Sequence, residues 1–134
     1  RIYFQNLKLF YLKKNGLVER AAQMGAYLFR RFESLKKMPI VGDIRGRGLL
    51  LAIELVQDNR KTPFPRSLKI AESIVQRAFE KGMIMLSGHG LEDGVVGDLL
   101  MLAPPFIVKE GEIDEMYHVL SKIIEEVGRE KGLA

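Results

Sequence analysis

The sequence contains no cysteine and no tryptophan among its 134 residues. The lack of cysteine excludes a disulfide framework and a thiolate zinc site, and nothing in the composition favours an oxidising compartment. No apolar run approaches the roughly 20 residues that span a membrane, and the first residues lack the apolar core of a signal peptide. We therefore expect a soluble cytoplasmic protein without a membrane partner.

Histidine is also scarce, since only His89 and His118 occur. No His-x-x-x-His spacing accompanies them, and we predict no metal site. His118 follows Met116 and Tyr117 on a predicted helix and is interpreted as a partly buried structural residue. His89 lies in a glycine-rich loop, where binding residues concentrate, although a surface position without a role is the alternative.

The remaining composition is that of a folded domain. Hydrophobic residues make up 47% and charged residues 28% of the chain, which excludes disordered and low-complexity classes. The net charge of +4 arises in residues 1–37, where nine basic residues face two acidic ones. A basic segment can track phosphates, but this one lacks interleaved aromatic residues. We interpret it as a solvated helix face and expect no nucleic-acid partner.

Hydrophobic periodicity predicts the element order α, α, β, β, α, β, β, α. One helix is predicted within residues 1–16, and three more are predicted near 17–35, 67–81 and 110–127. Ser67 is the expected N-cap of the third helix. The predicted strands cover residues 40–44, 49–56, 83–86 and 99–102. The second strand has few polar residues, so we expect both of its faces to be covered. The fold class is therefore α+β, with a small, mostly antiparallel or mixed sheet of about four strands and helices packed on one face.

The chain is long enough for one domain, residues 1–134, in which residues 17–134 form the α/β sandwich. Tyr3-Phe4-Gln5 resembles the end of a common tag-cleavage sequence or the start of a native helix, and is assigned no function.

Few residues suggest chemistry by themselves. The loop Ser87–Asp98 follows a strand, as a phosphate-binding loop does, but it leads into another strand, and Glu92 and Asp93 would repel a phosphate. Arg45 and Arg47 flank a predicted tight turn, where they could bind a carboxylate or phosphate or lie at a solvated rim. The residues alone indicate no catalytic, cofactor-binding or metal-binding group.

Three stretches in order carry a resemblance to a known family. They are residues 15–25 (NGLVERAAQMG), residues 41–56 (VGDIRGRGLLLAIELV), and the pair 97–98 (GD) with 102–115 (LAPPFIVKEGEIDE). From about Leu7 onward the chain resembles the C-terminal small domain of class III (ω-type) aminotransferases, which are fold type I pyridoxal-phosphate enzymes. The resemblance implies a longer parent chain, usually a homodimer, that transfers an amino group from an amine or amino acid to a 2-oxo acid.

The resemblance also implies where the cofactor lies. In this family a lysine holds pyridoxal phosphate as a Schiff base, and that lysine belongs to the large domain that precedes the segment seen here. We therefore expect a fragment that packs on its missing large domain, is inactive alone and does not itself bind the cofactor. An isolated fragment would expose the apolar surface that meets the large domain, and we expect it to self-associate.

Two positions where the family often carries a carboxylate-binding arginine are apolar here. They are Met101, before the Leu-Ala-Pro-Pro stretch, and Leu86, at the end of the strand before the glycine-rich loop. Because an apolar side chain cannot form the bidentate contact, the carboxylate anchor is missing, or comes from the large domain, or from a neighbour such as His89. The resemblance predicts that Leu86, His89 and Met101 face the substrate and that the loop 86–98 gates the pocket.

Two alternatives stay open. An aminomutase or decarboxylase shares this architecture and would not differ in this domain. A stand-alone α+β binding module, using the basic segment 1–37, is the non-enzymatic alternative.

Overall fold

Four antiparallel strands form one sheet in the order β1–β2–β4–β3. The computed structural model describes residues 2–91 and 93–133, with side chains described from residue 6 onward. The strands are β1 (Val41–Arg47), β2 (Leu50–Leu55), β3 (Leu86–Gly88) and β4 (Asp98–Leu102), and the α-helices are α1 (Ile2–Lys14), α2 (Leu17–Glu33), α3 (Ile70–Glu80) and α4 (Glu110–Glu130). This arrangement confirms the predicted α+β class, the antiparallel sheet and the order of the elements.

Alternation along β2 divides the sheet into two faces. Leu51, Ile53 and Leu55 are at most 1% exposed, whereas Leu50 is 54% exposed. Helix α2 packs on β1 and β2, α3 packs on β3 and β4, and α4 packs against α2 and α3. Within the described residues, the helices that pack on the sheet lie on its buried side only, so this chain does not itself cover both faces of β2 as expected.

The helices bury the apolar stripes that their spacing predicts. On α2, Met24, Leu28 and Phe32 are buried, and on α4 Ile113 and Leu120 belong to the same core. A fully buried side chain of this size stabilises the fold by about 1.5–3 kcal/mol, so this stripe holds the helical layer on the sheet. No helix within residues 2–91 and 93–133 is long and apolar enough to cross a membrane.

The first hairpin turns later than its glycine pattern suggests. The strand predicted at 40–44 continues through Arg47, and the turn consists of Gly48 and Leu49 instead of residues 45–48. Arg45 and Arg47 pair with residues of β2 and are therefore strand residues, so the predicted turn at residues 45–48 is wrong; Arg47 does flank the observed turn, whereas Arg45 lies two residues earlier in β1. The left-handed φ of 56° at Gly48 supplies the turn, since glycine adopts that conformation at little cost.

Three further local predictions are wrong. Helix α3 begins at Ile70, because Ser67 lies in a short 3-10 turn, Arg66–Leu68, that precedes it. Strand β3 begins at Leu86 and not at Met83, because its partner β4 pairs with residues 86–88 only. His118 is exposed, since it lies on the solvent side of α4.

Candidate functional site

The uncovered side of the sheet brings together the two apolar residues that the sequence predicts to face a substrate. Leu86 of β3 lies directly opposite Met101 of β4, and Met101 lies opposite Ala52 of β2, which pairs with Arg45 of β1. Residues that pair directly in antiparallel strands point to the same face, with Cα atoms about 5 Å apart. We call Arg45, Ala52, Met101 and Leu86 the central row, and the uncovered side of the sheet the open face.

The alternation of β4 explains why Met101 is on the open face. Asp98, Leu100 and Leu102 are buried on the helical side, so the residues between them point the other way. Leu86 is 60% exposed and Met101 is partly exposed on that face. An apolar wall of this kind can contact an apolar ligand group and exclude water, but it has no donor for a carboxylate.

The β1 end of the central row is charged but neutralised. The Arg45 guanidinium donates hydrogen bonds to Glu54 at 2.8 Å and to Asp43 at 3.2 Å. Partial burial alone would raise the pKa of Asp43, but the hydrogen bonds from Arg45 and the backbone of Ile44, together with the positive charges of Lys36 and Arg45, outweigh it, and the pKa lies below its usual value. Because two carboxylates already occupy Arg45, an incoming carboxylate would have to displace one of them.

His89 lies apart from the central row. It is an exposed residue directly after β3. The loop that follows is held by its own contacts, since Asp93 accepts hydrogen bonds from the N–H groups of Val95 and Val96 at 2.8 Å each. These two bonds, that from Val96 first, lower the pKa of Asp93. Glu92 lies outside the described residues.

Asp98 is a buried carboxylate that sequence reasoning missed. It is 2% exposed, and its Oδ1 accepts a hydrogen bond of 3.0 Å from the N–H of Ala71, the second residue of α3. Burial raises the pKa of Asp98, and the charge of Glu72 adds to that effect, while the Ala71 bond opposes it. The strand alternation that places Leu100 in the core could have revealed it, because the same register sends Asp98 inward.

Arg20 is a second residue whose role only the fold reveals. Its side chain, on α2, donates hydrogen bonds to the backbone carbonyl oxygens of Phe106 at 3.0 Å and Val108 at 2.7 Å. These carbonyls belong to the segment that connects β4 to α4. Arg20 therefore fixes the chain that leaves the strand carrying Met101.

The described residues do not themselves fit a pyridoxal-phosphate site. Every lysine among them is exposed, whereas a Schiff-base lysine needs an enclosed position that lowers its pKa. No cluster of three or more His, Asp or Glu side chains suited to a metal ion occurs in residues 2–91 and 93–133.

A family model described as "Aminotransferase class-III" matches residues 4–124. The chain belongs to the class III aminotransferases. This confirms the resemblance carried by the three sequence stretches. Among the curated relatives of this chain is an uncharacterized aminotransferase of Schizosaccharomyces pombe, 42% identical over 115 residues, which cover 84% of the chain and 25% of that protein.

Solved transaminases share the fold. A transaminase from the marine bacterium Virgibacillus aligns with a TM-score of 0.81 and 30% identity, covering 90% of this chain and 27% of that one. The omega transaminase from Pseudomonas jessenii in complex with PMP aligns with a TM-score of 0.79 and 31% identity, covering 94% of this chain and 26% of that one.

Among the curated relatives is also a leucine/methionine racemase from Thermococcus litoralis, which is 30% identical over 117 residues that cover 87% of this chain and 24% of that protein.

The chain therefore spans about a quarter of the length of the proteins it matches.

Proposed function

We propose that this chain is the C-terminal part of a pyridoxal-phosphate-dependent transaminase and forms the substrate-side wall of its active site. The observation that carries the proposal is the open face, where Leu86 and Met101 lie opposite each other and uncovered. A sheet with one apolar face uncovered packs against another surface. Since the chain spans a quarter of its relatives' length, the surface proposed here is the remaining part of the same parent chain.

The remaining part supplies the cofactor site in this proposal. Bound pyridoxal phosphate provides an electron sink and carries the amino group between the two substrates. The Schiff-base lysine comes from outside this chain, because the lysines described here are exposed. The parent is proposed to act as a homodimer on an amine or amino acid donor and a 2-oxo acid acceptor.

Leu86 and Met101 contact the apolar part of the donor and exclude water from it. They provide no charge for a donor carboxylate, and Arg45 in the same row is already bound to Glu54 and Asp43. The wall therefore favours a donor whose group at this position is apolar over one that carries an α-carboxylate, because burying an unpaired carboxylate is costly. His89, at the start of the loop that gates the pocket, is proposed to lie at its rim.

The substitution Met101→Arg in the intact enzyme tests this wall. A guanidinium at position 101 can form a bidentate contact with a carboxylate beside Leu86. We expect the ratio of kcat/KM for an α-amino acid donor to that for a carboxylate-free amine to rise about tenfold, the effect of one charge-assisted contact. The measurement is a set of initial rates over a donor panel with one common acceptor.

Phe79→Arg is the matched control. Phe79 is 61% exposed on α3, in the helical layer, so the substitution adds the same charge away from the open face. We expect its donor ratio to equal that of the wild type. A Met101→Arg enzyme with an unchanged donor ratio and a normal rate would show that Met101 does not face the substrate.

A second candidate function is a different reaction of an amino acid on the same fold, such as racemisation. The similarity to the leucine/methionine racemase supports this candidate. The aminomutase and decarboxylase alternatives belong to the same group. Product analysis separates them, because a transaminase consumes one 2-oxo acid for each amine and forms a new amino acid. Turnover of an amino acid with no 2-oxo acid present would favour the second candidate.

A further inference from the structure

Asp98 stands at the junction of three elements. It is the first residue of β4, it directly follows the loop 89–97, and its carboxylate contacts the start of α3. No side chain next to α3 in the sequence provides this contact, because the preceding residue, Lys69, makes no capping hydrogen bond and has a left-handed φ of 46°. The N-terminus of α3 is thus capped from a strand 27 residues away.

The contact of Asp98 bears on the position of Leu86 through α3. Strand β3 is an edge strand, paired only with β4 among the described strands, and α3 packs on both β3 and β4. A shift of the start of α3 relative to β4 would therefore move β3 and the wall that Leu86 forms with Met101. Three charged or titratable side chains act on Asp98 from the neighbouring segments, namely Glu72, Arg66 and His89, and Arg66 and Glu72 are themselves an ion pair.

The loop before Asp98 is folded tightly on itself. Gly97 is buried with a φ of 100°, and a Cβ atom there would lie 2.9 Å from Cβ of Leu91. A side chain at position 97 would thus force the loop away from its own first turn. Because Asp98 is bonded directly to Gly97, a displacement of Asp98 would disturb this close contact between Gly97 and Leu91.

We infer that Asp98 is a positioning residue for the substrate-side wall: by accepting the Ala71 N–H it holds α3, β3 and the loop 89–97 in register with β4. The inference rests on the proposed function only for its kinetic consequence. The structural role needs only an acceptor oxygen at the place that the Asp98 Oδ1 atom occupies. The position of that oxygen therefore decides whether α3 and the loop are held, and the negative charge of the side chain does not.

Two substitutions separate position from charge. Asp98→Asn keeps an acceptor oxygen in the same place and removes the charge, while Asp98→Glu keeps the charge and moves the oxygens by one methylene. Hydrogen–deuterium exchange of the intact protein, followed in peptides covering residues 68–75 and 83–97, reports on both segments. We expect exchange to be about fivefold faster in both peptides for Asp98→Glu, the usual effect of losing a cap, and within about twofold of wild type for Asp98→Asn.

Asp58→Ala is the control, because Asp58 also accepts backbone N–H groups, from Arg60 and Thr62, but only within its own loop. It should leave the exchange of both peptides unchanged. The inference is overturned if Asp98→Glu exchanges like wild type, or if Asp98→Asn exchanges as fast as Asp98→Glu. Since Asp98→Asn is isosteric, a folding defect in it would likewise count against the inference.

The kinetic arm uses the same variants of the intact enzyme. We expect Asp98→Glu to raise KM for the amine donor about fivefold with kcat within about twofold, and Asp98→Asn to restore the wild-type KM. A lower kcat with unchanged KM would contradict a role in the wall. If the wild-type protein shows no transaminase activity, the proposed function fails, while the exchange data still decide whether Asp98 holds this junction.

Discussion

The substitution Gly25→Ala tests a close approach between α2 and the β1–β2 turn. Gly25 is buried in the middle of α2, and a Cβ atom there would lie 2.6 Å from Cα of Gly48 and nearer still to its carbonyl group. Non-bonded carbon atoms do not approach each other this closely. The atoms in the way belong to the backbone of Gly48, which cannot rotate aside as a side chain can. The helix would have to move by about 1 Å to restore an ordinary contact.

Two effects of opposite sign decide the magnitude. Alanine is better than glycine in a helix interior by about 1 kcal/mol. Overpacking against a rigid neighbour costs about 3 kcal/mol or more, because α2 loses contact along its whole buried stripe. The clash is the larger effect, and we expect the free energy of unfolding to fall by about 2 kcal/mol.

Urea denaturation measures the change, and the midpoint should fall by about 1 M at an unchanged slope. Gly111→Ala is the matched control, since nothing lies within 4 Å of a Cβ atom at position 111 near the start of α4. The control should be as stable as wild type or more stable by about 0.5 kcal/mol. A Gly25→Ala chain as stable as the control would refute the close approach of α2 to the turn.

Two further predictions concern Asp98 and Arg20. Burial raises the pKa of Asp98 in the folded state, so its favourable contribution is complete below its unfolded pKa and is lost as the pH rises through the folded pKa. The stability of Asp98→Asn relative to wild type should therefore increase as the pH rises above about 4, whereas a difference independent of pH would contradict the raised pKa. Arg20→Gln should lower the free energy of unfolding by about 1–2 kcal/mol, because it removes the hydrogen bonds to Phe106 and Val108. Arg30→Gln, on the exposed side of the same helix, should change the free energy of unfolding by less than about 0.5 kcal/mol, and equal losses in both variants would refute the role of the Arg20 hydrogen bonds in fixing the segment between β4 and α4.

Periodicity and ordered motifs made the elements and the family predictable. The stripe of Met24, Leu28 and Phe32 requires one buried helix face whatever lies against it, so local spacing was sufficient to place α2. The same holds for the order of strands and helices, which follows from short-range patterns and breakers. Leu86 and Met101 could be singled out because their neighbours in sequence resemble family motifs.

Only the tertiary structure decided which surfaces are free and which distant groups meet. The run Leu49–Val56 is apolar except for Glu54, and its sequence cannot show that the helices of this chain cover one side alone, since coverage depends on where other elements pack. The cap on α3 was equally hidden, because its acceptor on Asp98 comes from another strand and no local rule joins residues 27 positions apart. The pairing of Leu86 with Met101 depends on strand register, which long-range hydrogen bonds set.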